Sequence, residues 1–460
     1  MNQFSLQQLP HGSNIHFIGV GGVSMSGLAE ILLSKGYCVS GSDIRHSEVI
    51  KKLENLGLNF HLGHHPENVN GAGLVVYTAA VSADNPELVS AGRQNILTIP
   101  RSALLGAIMS HFKHSIAIAG THGKTTVTSM LSYICRDLDL DPTILVGARL
   151  DLIDGNVKTG KSDYMIAEAC EYHRSFLDFR PFCATILNVE PDHLDYYKDA
   201  ADYHSAYADF LRLVSPQGFV VACADDADLM ALVKQAPCPV TTYALENSDA
   251  DFTAKDIATD RNGTNYLLYK GNKKICAVKL RVFGAHNILN SMAALVNAYL
   301  FEMDMSKAAE ALQKFRGADR RFEWKGTFHG ADVYDDYAHH PTEIRATLEA
   351  ARRIPHKRVV CVFQPHTYSR TKAFFEEFSR AFNGVDLLIL ADIYAAREKS
   401  DGSVSSAMLQ KEIEKQRIPC LYFDSFEKIA QKLRQEAREG DILIIMGAGD
   451  IVGVTPMLLS

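Results

Sequence analysis

The sequence predicts an α/β protein built on mainly parallel sheets and divided into three domains. Short apolar runs recur at 15–20, 74–77, 164–167, 184–187, 219–222, 359–363, 387–390 and 442–446, separated by longer stretches of helical spacing. Strand and helix alternate in this way in parallel α/β sheets. Two runs lead into glycine-bearing turns that open a helical stretch. The length, 460 residues, exceeds what one hydrophobic core usually serves and suggests about three domains.

In chain order, the first run is followed by Gly19-Val20-Gly21-Gly22-Val23-Ser24-Met25-Ser26-Gly27 and a helical pattern through Leu33. This is the first turn of a Rossmann-like domain. Gly41-Ser42-Asp43 closes a second strand, where an acidic side chain accepts hydrogen bonds from a ribose or base. The spacing is Gly-x-Gly-Gly with a last glycine five positions after Gly22, unlike the Gly-x-Gly-x-x-Gly of NAD enzymes. A diphosphate ligand other than NAD fits at least as well. Tight strand–helix packing without a ligand is the plain alternative.

The second glycine turn is Ala119-Gly120-Thr121-His122-Gly123-Lys124-Thr125-Thr126, after Ile116-Ala117-Ile118 and before a helical pattern ending near Leu138. Glycines let backbone N–H groups approach phosphate oxygens, and the helix N-terminus adds partial positive charge. Lys124 then neutralises the outer phosphates and Thr125 holds Mg²⁺. The common P-loop has a glycine where this chain has Ile118. A plain turn with an exposed lysine is the competing reading.

Glu168 ends the run 164–167, and Asn188-Val189-Glu190-Pro191-Asp192-His193-Leu194-Asp195 follows the next one. Ligands gather at the carboxyl ends of parallel strands, so Glu168 and His193 are candidates to face the same Mg²⁺ as Thr125. Magnesium prefers oxygen ligands, which makes Asp192 nearly as good a candidate. A strand-end carboxylate in an ion pair and a hydrogen-bonded loop histidine are the structural alternatives. Between Asp251 and Val282, polar–apolar alternation around Asn262-Gly263 and Gly271-Asn272 predicts a small antiparallel hairpin set. Boundaries near Ser110 and Asp319 divide the chain into domains 1–110, 111–319 and 320–460.

The net charge of −7 is small for the length, and the 22% charged residues are of both signs, which is no nucleic-acid footprint. Nine scattered cysteines without a Cys-x-x-Cys pair fit neither a disulfide framework nor a zinc ribbon. No apolar run reaches the roughly eighteen residues a membrane span needs, and no signal-like leader opens the chain. A soluble, cytoplasmic protein without a membrane partner is expected.

Taken together, these segments resemble the Mur ligases, the ATP-dependent amide-forming enzymes of bacterial peptidoglycan synthesis. Further segments carry the resemblance: Gly284-Ala285-His286-Asn287-x-x-Asn290, Arg320-Arg321-Phe322-Glu323 and Asp335-Asp336-Tyr337-Ala338-His339-His340-Pro341-Thr342-Glu343. The N-terminal loop and Phe363-Gln364-Pro365-His366-Thr367-Tyr368-Ser369-Arg370-Thr371 look like the member that joins L-alanine to UDP-N-acetylmuramate. A tripeptide-adding recycling ligase and an NAD-dependent oxidoreductase are the alternatives. Two departures stand out. Glu168-Ala169-Cys170-Glu171 replaces a common Glu-Ala-Asp-Glu, leaving the role of Glu171 open, and 203–211 has no lysine, unlike several siblings that place a carbamylated one there.

The resemblance implies an N-terminal Rossmann-like UDP-binding domain, a central P-loop-type ATPase domain and a C-terminal Rossmann-like domain that binds the amino acid. It implies ATP as co-substrate and Mg²⁺ or Mn²⁺ as the ion, with phosphorylation of the lactyl carboxylate before amine attack. Lys124 and His193 are the catalytic candidates. ATP falls to Gly120, Thr121, His122, Gly123, Lys124, Thr125, Thr126, Asn287, Arg321 and Asp336. Gly19, Gly21, Gly22, Ser26, Gly27, Ser42 and Asp43 take the sugar nucleotide. His339, His366 and Arg370 take the amino acid, although His339 equally suits ordering the turn before Pro341. Thr125, Glu168 and His193 form the metal set. No residue stands out as an obligatory base for the amine. A monomer or weak homodimer is expected.

Overall fold

A computed structural model describes residues 4–459 apart from 11, 79, 195, 261, 262 and 397. Asp195 and the Asn262 half of the Asn262-Gly263 turn therefore lie outside the described residues. Contacts gather the chain into two compact units: Met1–Glu190 with His204–Phe252 and Ala293–Ala308, and Pro191–Tyr203 with Thr253–Met292 and Ala309–Ser460.

The first unit opens with β1 (Asn14–Ile18), α1 (Val23–Ser34), β2 (Cys38–Asp43), α2 (Glu48–Asn55), β3 (Asn59–Leu62), β4 (Ala72–Tyr77), α3 (Pro86–Arg93), β5 (Leu97–Pro100) and α4 (Arg101–Met109). Its first sheet runs β3-β2-β1-β4-β5, all parallel. Strand order reverses beside β1, and ligands of doubly wound sheets bind at such a reversal. Ser47 and Asn85 cap α2 and α3 by accepting backbone N–H groups.

The second sheet of this unit contains β6 (His114–Ala119), β7 (Thr143–Leu150), β8 (Gly155–Lys158), β9 (Tyr164–Glu168), β10 (Cys183–Ile186), β11 (Phe219–Cys223) and β12 (Val240–Ala244), with α5 (Lys124–Asp137) after β6. The order is β12-β11-β10-β6-β9-β7-β8, parallel except for β8 against β7. Ile116, Ala117, Ile118 and Ala119 of the central strand are fully buried, which is why β6 reads as a continuous apolar run and not as an alternation. Helix α1 packs on β8 so closely that a Cβ on Gly27 would stand 2.2 Å from Val157 Cγ2.

The second unit holds the predicted hairpin set, β13 (Phe252–Asp260, from Thr253 onward), β14 (Gly263–Lys270) and β15 (Lys273–Leu280), with β14 and β15 antiparallel. Its larger sheet is built from β16 (Glu323–Phe328), β17 (Ala331–Asp336), β18 (Arg358–Phe363), β19 (Leu387–Leu390), β20 (Cys420–Tyr422) and β21 (Asp441–Met446). The order is β16-β17-β21-β18-β19-β20, with only β16 antiparallel to its neighbour. Successive residues of the central strands feed two separate cores: Val359, Cys361 and Phe363 one side, Val360 and Val362 the other. No helix among the described residues is long and apolar enough to cross a membrane.

Candidate functional site

The loop 119–126 sits at the carboxyl end of β6, flanked by β10 and β9. Gly120 has φ +138°, and a Cβ there would meet Leu187 Cβ at 3.0 Å; the turn therefore requires glycine. Gly123, at φ +87°, precedes α5 without supplying a side-chain cap, so side-chain capping does not occupy the first N–H groups of that helix. The segment after β10 clamps the loop. His122 N–H donates to Asn188 Oδ1 at 2.9 Å, Asn188 Nδ2 donates to His122 O at 3.1 Å, and Thr121 Oγ donates to the Glu190 carbonyl at 2.6 Å. Asn188 lies in a segment the sequence singled out, yet its clamping role has no local sequence signal.

Lys124 Nζ donates to the carbonyls of Gly120 and Thr121 and to both oxygens of Glu171, at 3.1 and 2.9 Å. The Glu171 side chain is 1% exposed and that of Lys124 16%. Burial, the largest single influence, would lower the ammonium pKa, but the charge and hydrogen bond of Glu171 together with other acidic neighbours outweigh it and the net displacement is upward. This gives Glu171 a place: it is the counter-charge of the loop lysine. Glu168, in register with Ile118, accepts Gly147 N–H at 2.7 Å through Oε1. Thr125 and Glu168 thus belong to the unit that carries Lys124, whereas His193 belongs to the other unit.

The N-terminal loop is fixed differently. Gly21 N–H donates to Asp43 Oδ2 at 3.0 Å, and Gly19 and Val20 N–H donate to the Ser42 carbonyl at 2.8 and 3.0 Å. Asp43, expected to meet a ribose or base, spends one oxygen on the loop itself. Two residues of the loop also have structural roles. Gly27 clears space for Val157 and is a packing glycine, and buried Ser26 donates its hydroxyl to the Val23 carbonyl at 3.0 Å.

In the second unit, Arg370 donates to Asp192 through Nε at 3.1 Å and through Nη2 to Oδ1 and Oδ2 at 2.8 and 3.1 Å. Burial would raise the Asp192 pKa, but the guanidinium holds it well below the ordinary carboxylate range. Arg370, expected to pair with an amino-acid carboxylate, is already paired with a protein one. Its Nη1 also donates to His366 Nδ1 at 3.0 Å, and the His366 ring lies 5.7 Å from that of His339. The three amino-acid candidates are therefore brought together. Burial pushes His366 down to about 4 and His339 to about 3, so both are neutral near pH 7. His193 adopts φ +54°, with its Nε2 3.9 Å from Asp192 Oδ2.

Asp336 is 4% exposed and accepts hydrogen bonds from Phe322 N–H, Ala338 N–H and the Thr347 hydroxyl at 2.8, 2.6 and 3.1 Å. Burial raises it to about 6. It organises the turn around Phe322 and Ala338, and little of its surface is left for the nucleotide. Arg321 lies 5.2 Å from the Tyr337 ring centroid and 3.6 Å from Glu343. Asn287 Nδ2 donates to the Phe283 carbonyl at 2.8 Å.

Comparison with known proteins identifies the family. Residues 14–113 match the model described as Mur ligase family, catalytic domain, residues 118–298 the Mur ligase middle domain, and residues 320–449 the Mur ligase glutamate ligase domain. The chain is 48% identical over 447 residues, 97% of both chains, to a UDP-N-acetylmuramate--L-alanine ligase of Clostridium acetobutylicum. It is also 48% identical over 457 residues, 99% of this chain and 100% of the other, to that of Clostridium tetani. Among solved structures, the UDP-N-acetylmuramate-alanine ligase MurC of Thermotoga maritima superposes with a TM-score of 0.80 at 27% identity, covering 97% of this chain and 98% of that one. The oxidoreductase alternative, which rested on the first glycine loop, gives way to these matches. The chain belongs to the Mur ligase family.

Proposed function

We propose that this chain joins L-alanine to the lactyl carboxylate of UDP-N-acetylmuramate at the expense of ATP, in the cytoplasm, as a step of peptidoglycan precursor synthesis. The observation that carries the reading is near-full-length identity of 48% to ligases of that name, together with a glycine loop whose lysine is held ready at a strand end. A lactyl carboxylate oxygen attacks the γ-phosphorus and ADP leaves. The alanine amine then attacks the acyl carbon, phosphate leaves, and the amine gives up a proton.

Two anions must meet in the first step, so positive potential at the loop is the main requirement. Lys124 supplies it, balanced by Glu171 until nucleotide arrives. The Thr125 hydroxyl and the Glu168 carboxylate are oxygen donors of the kind a hard divalent cation takes; with His193 they would hold Mg²⁺ or Mn²⁺. When bound, the ion neutralises charge on phosphate oxygens. Asn287, Arg321 and Asp336 are assigned to the nucleotide side, with Asp336 acting through the turn it organises. His339, His366 and Arg370 are assigned to the amino acid, whose carboxylate joins or replaces Asp192 on the Arg370 fork. UDP-sugar, ATP and amino acid are allotted to 1–110, 111–319 and 320–460, in a monomer or weak homodimer.

Phosphate release with UDP-N-acetylmuramate and ATP, comparing L-alanine, glycine, L-serine and the tripeptide, tests the reading. Release is expected with L-alanine and Mg²⁺. Release with the tripeptide but not with L-alanine would assign the chain to the recycling ligases instead.

A further inference from the structure

Glu87, in the first turn of α3, is fully buried. No step of the proposed reaction uses it. A carboxylate placed there costs solvation, and such networks specify geometry more than they stabilise. Its Oε2 accepts the Ser42 hydroxyl at 2.7 Å and His64 Nδ1–H at 3.0 Å, and its Oε1 accepts Asn68 Nδ2 at 2.6 Å. His16 Nε2 stands 3.5 Å from Oε1.

Two of these partners belong to the edge of the site. The Ser42 carbonyl receives the N–H groups of Gly19 and Val20, so the same residue joins Glu87 to the loop. Gly63 N–H donates to the Asp43 carbonyl, and next to it His64 has a side chain that is 24% exposed. Because a carboxylate only accepts, Ser42 must point its proton inward and His64 must carry a proton on Nδ1. Glutamine at 87 would present one N–H where Ser42 and His64 now donate, so the Ser42 hydroxyl, which also meets His64 Nδ1 at 3.0 Å, would have to turn and the His64 tautomer change.

We infer that Glu87 is a positioning residue of the sugar-nucleotide site, fixing Ser42 and His64 at the strand ends that carry the glycine loop and so setting affinity for the nucleotide-diphosphate sugar. The inference rests on the reading that the loop 19–22 receives the sugar nucleotide.

Calorimetric titration of the full chain with UDP-N-acetylmuramate, joined to steady-state kinetics, tests it. E87Q is expected to weaken sugar-nucleotide binding about tenfold, the scale of one lost buried hydrogen bond. The KM for ATP and for L-alanine should stay within about twofold, a split that general loosening of the fold would not produce. Equal binding by E87Q and wild type, or an equal rise in all three KM values, overturns the positioning role alone. A wild type that binds no UDP-N-acetylmuramate overturns the underlying reading and this role with it. Should E87Q fail to fold, S42A, H64A and their double variant carry the test. A double variant no weaker than the worse single supports the shared network, and simple additivity overturns it.

Discussion

The two glycine loops of the first unit follow the same plan, a buried parallel strand, a turn and a helix with no side-chain cap, yet they are held by opposite means. Asp43 and the Ser42 carbonyl grip the N-terminal loop through its own N–H groups, with no lysine in the loop. The central loop is gripped by Asn188 and the Glu190 carbonyl, and carries a lysine balanced against Glu171. On the proposed function, the difference separates two tasks. A loop that only binds a diphosphate can rely on fixed dipoles, whereas a loop that moves a phosphoryl group needs a cation able to follow developing charge.

The sharpest way to break this comparison is to remove the cation. Lys124→Met is expected to lower kcat by about a thousandfold or more while UDP-N-acetylmuramate binding, read by calorimetry, stays unchanged. A comparable loss of sugar-nucleotide affinity would mean the loops are not separate in function.

A second probe is acid stability. Hydrogen bonds from Ser42 and Asn68, with His16 standing 3.5 Å away, outweigh burial and hold Glu87 at about 2, against an ordinary 4.5. A depressed carboxylate stabilises the fold above its unfolded value and loses that contribution as pH falls from about 4.5 toward 2. The contribution is on the order of 3 kcal/mol. Urea midpoints followed through that window should fall more steeply for wild type than for E87Q; equal slopes would remove Glu87 from the account of the first loop.

The smallest effect expected is from Asn188→Ala, which releases the central loop from two hydrogen bonds. The KM for ATP should rise about tenfold, with sugar-nucleotide affinity unaltered. A change in the second quantity alone would reverse the roles assigned to the two loops.

Much of this was legible in the chain itself. β6 and β18 announce themselves because strands buried on both faces are apolar throughout, and Gly120 and Gly123 mark a turn whose backbone only glycine adopts comfortably. The pairings that fix the sites were not legible. Arg370 meets Asp192 across 178 positions and Ser42 meets Glu87 across 45; such contacts leave no period or local pattern. Gly27 is a related case, since Val157 on a distant strand imposes a packing requirement that the loop sequence does not show. Glu171 was visible as a residue, but only the fold shows that its charge faces Lys124.

The central claim, phosphoryl transfer onto a sugar-borne carboxylate, is tested most directly by isotope transfer. UDP-N-acetylmuramate labelled with ¹⁸O in the lactyl carboxylate is turned over with ATP, Mg²⁺ and L-alanine, and the released phosphate is analysed by mass spectrometry. The account predicts one labelled oxygen in each phosphate, the other remaining in the amide carbonyl. Amide formation with unlabelled phosphate would contradict it.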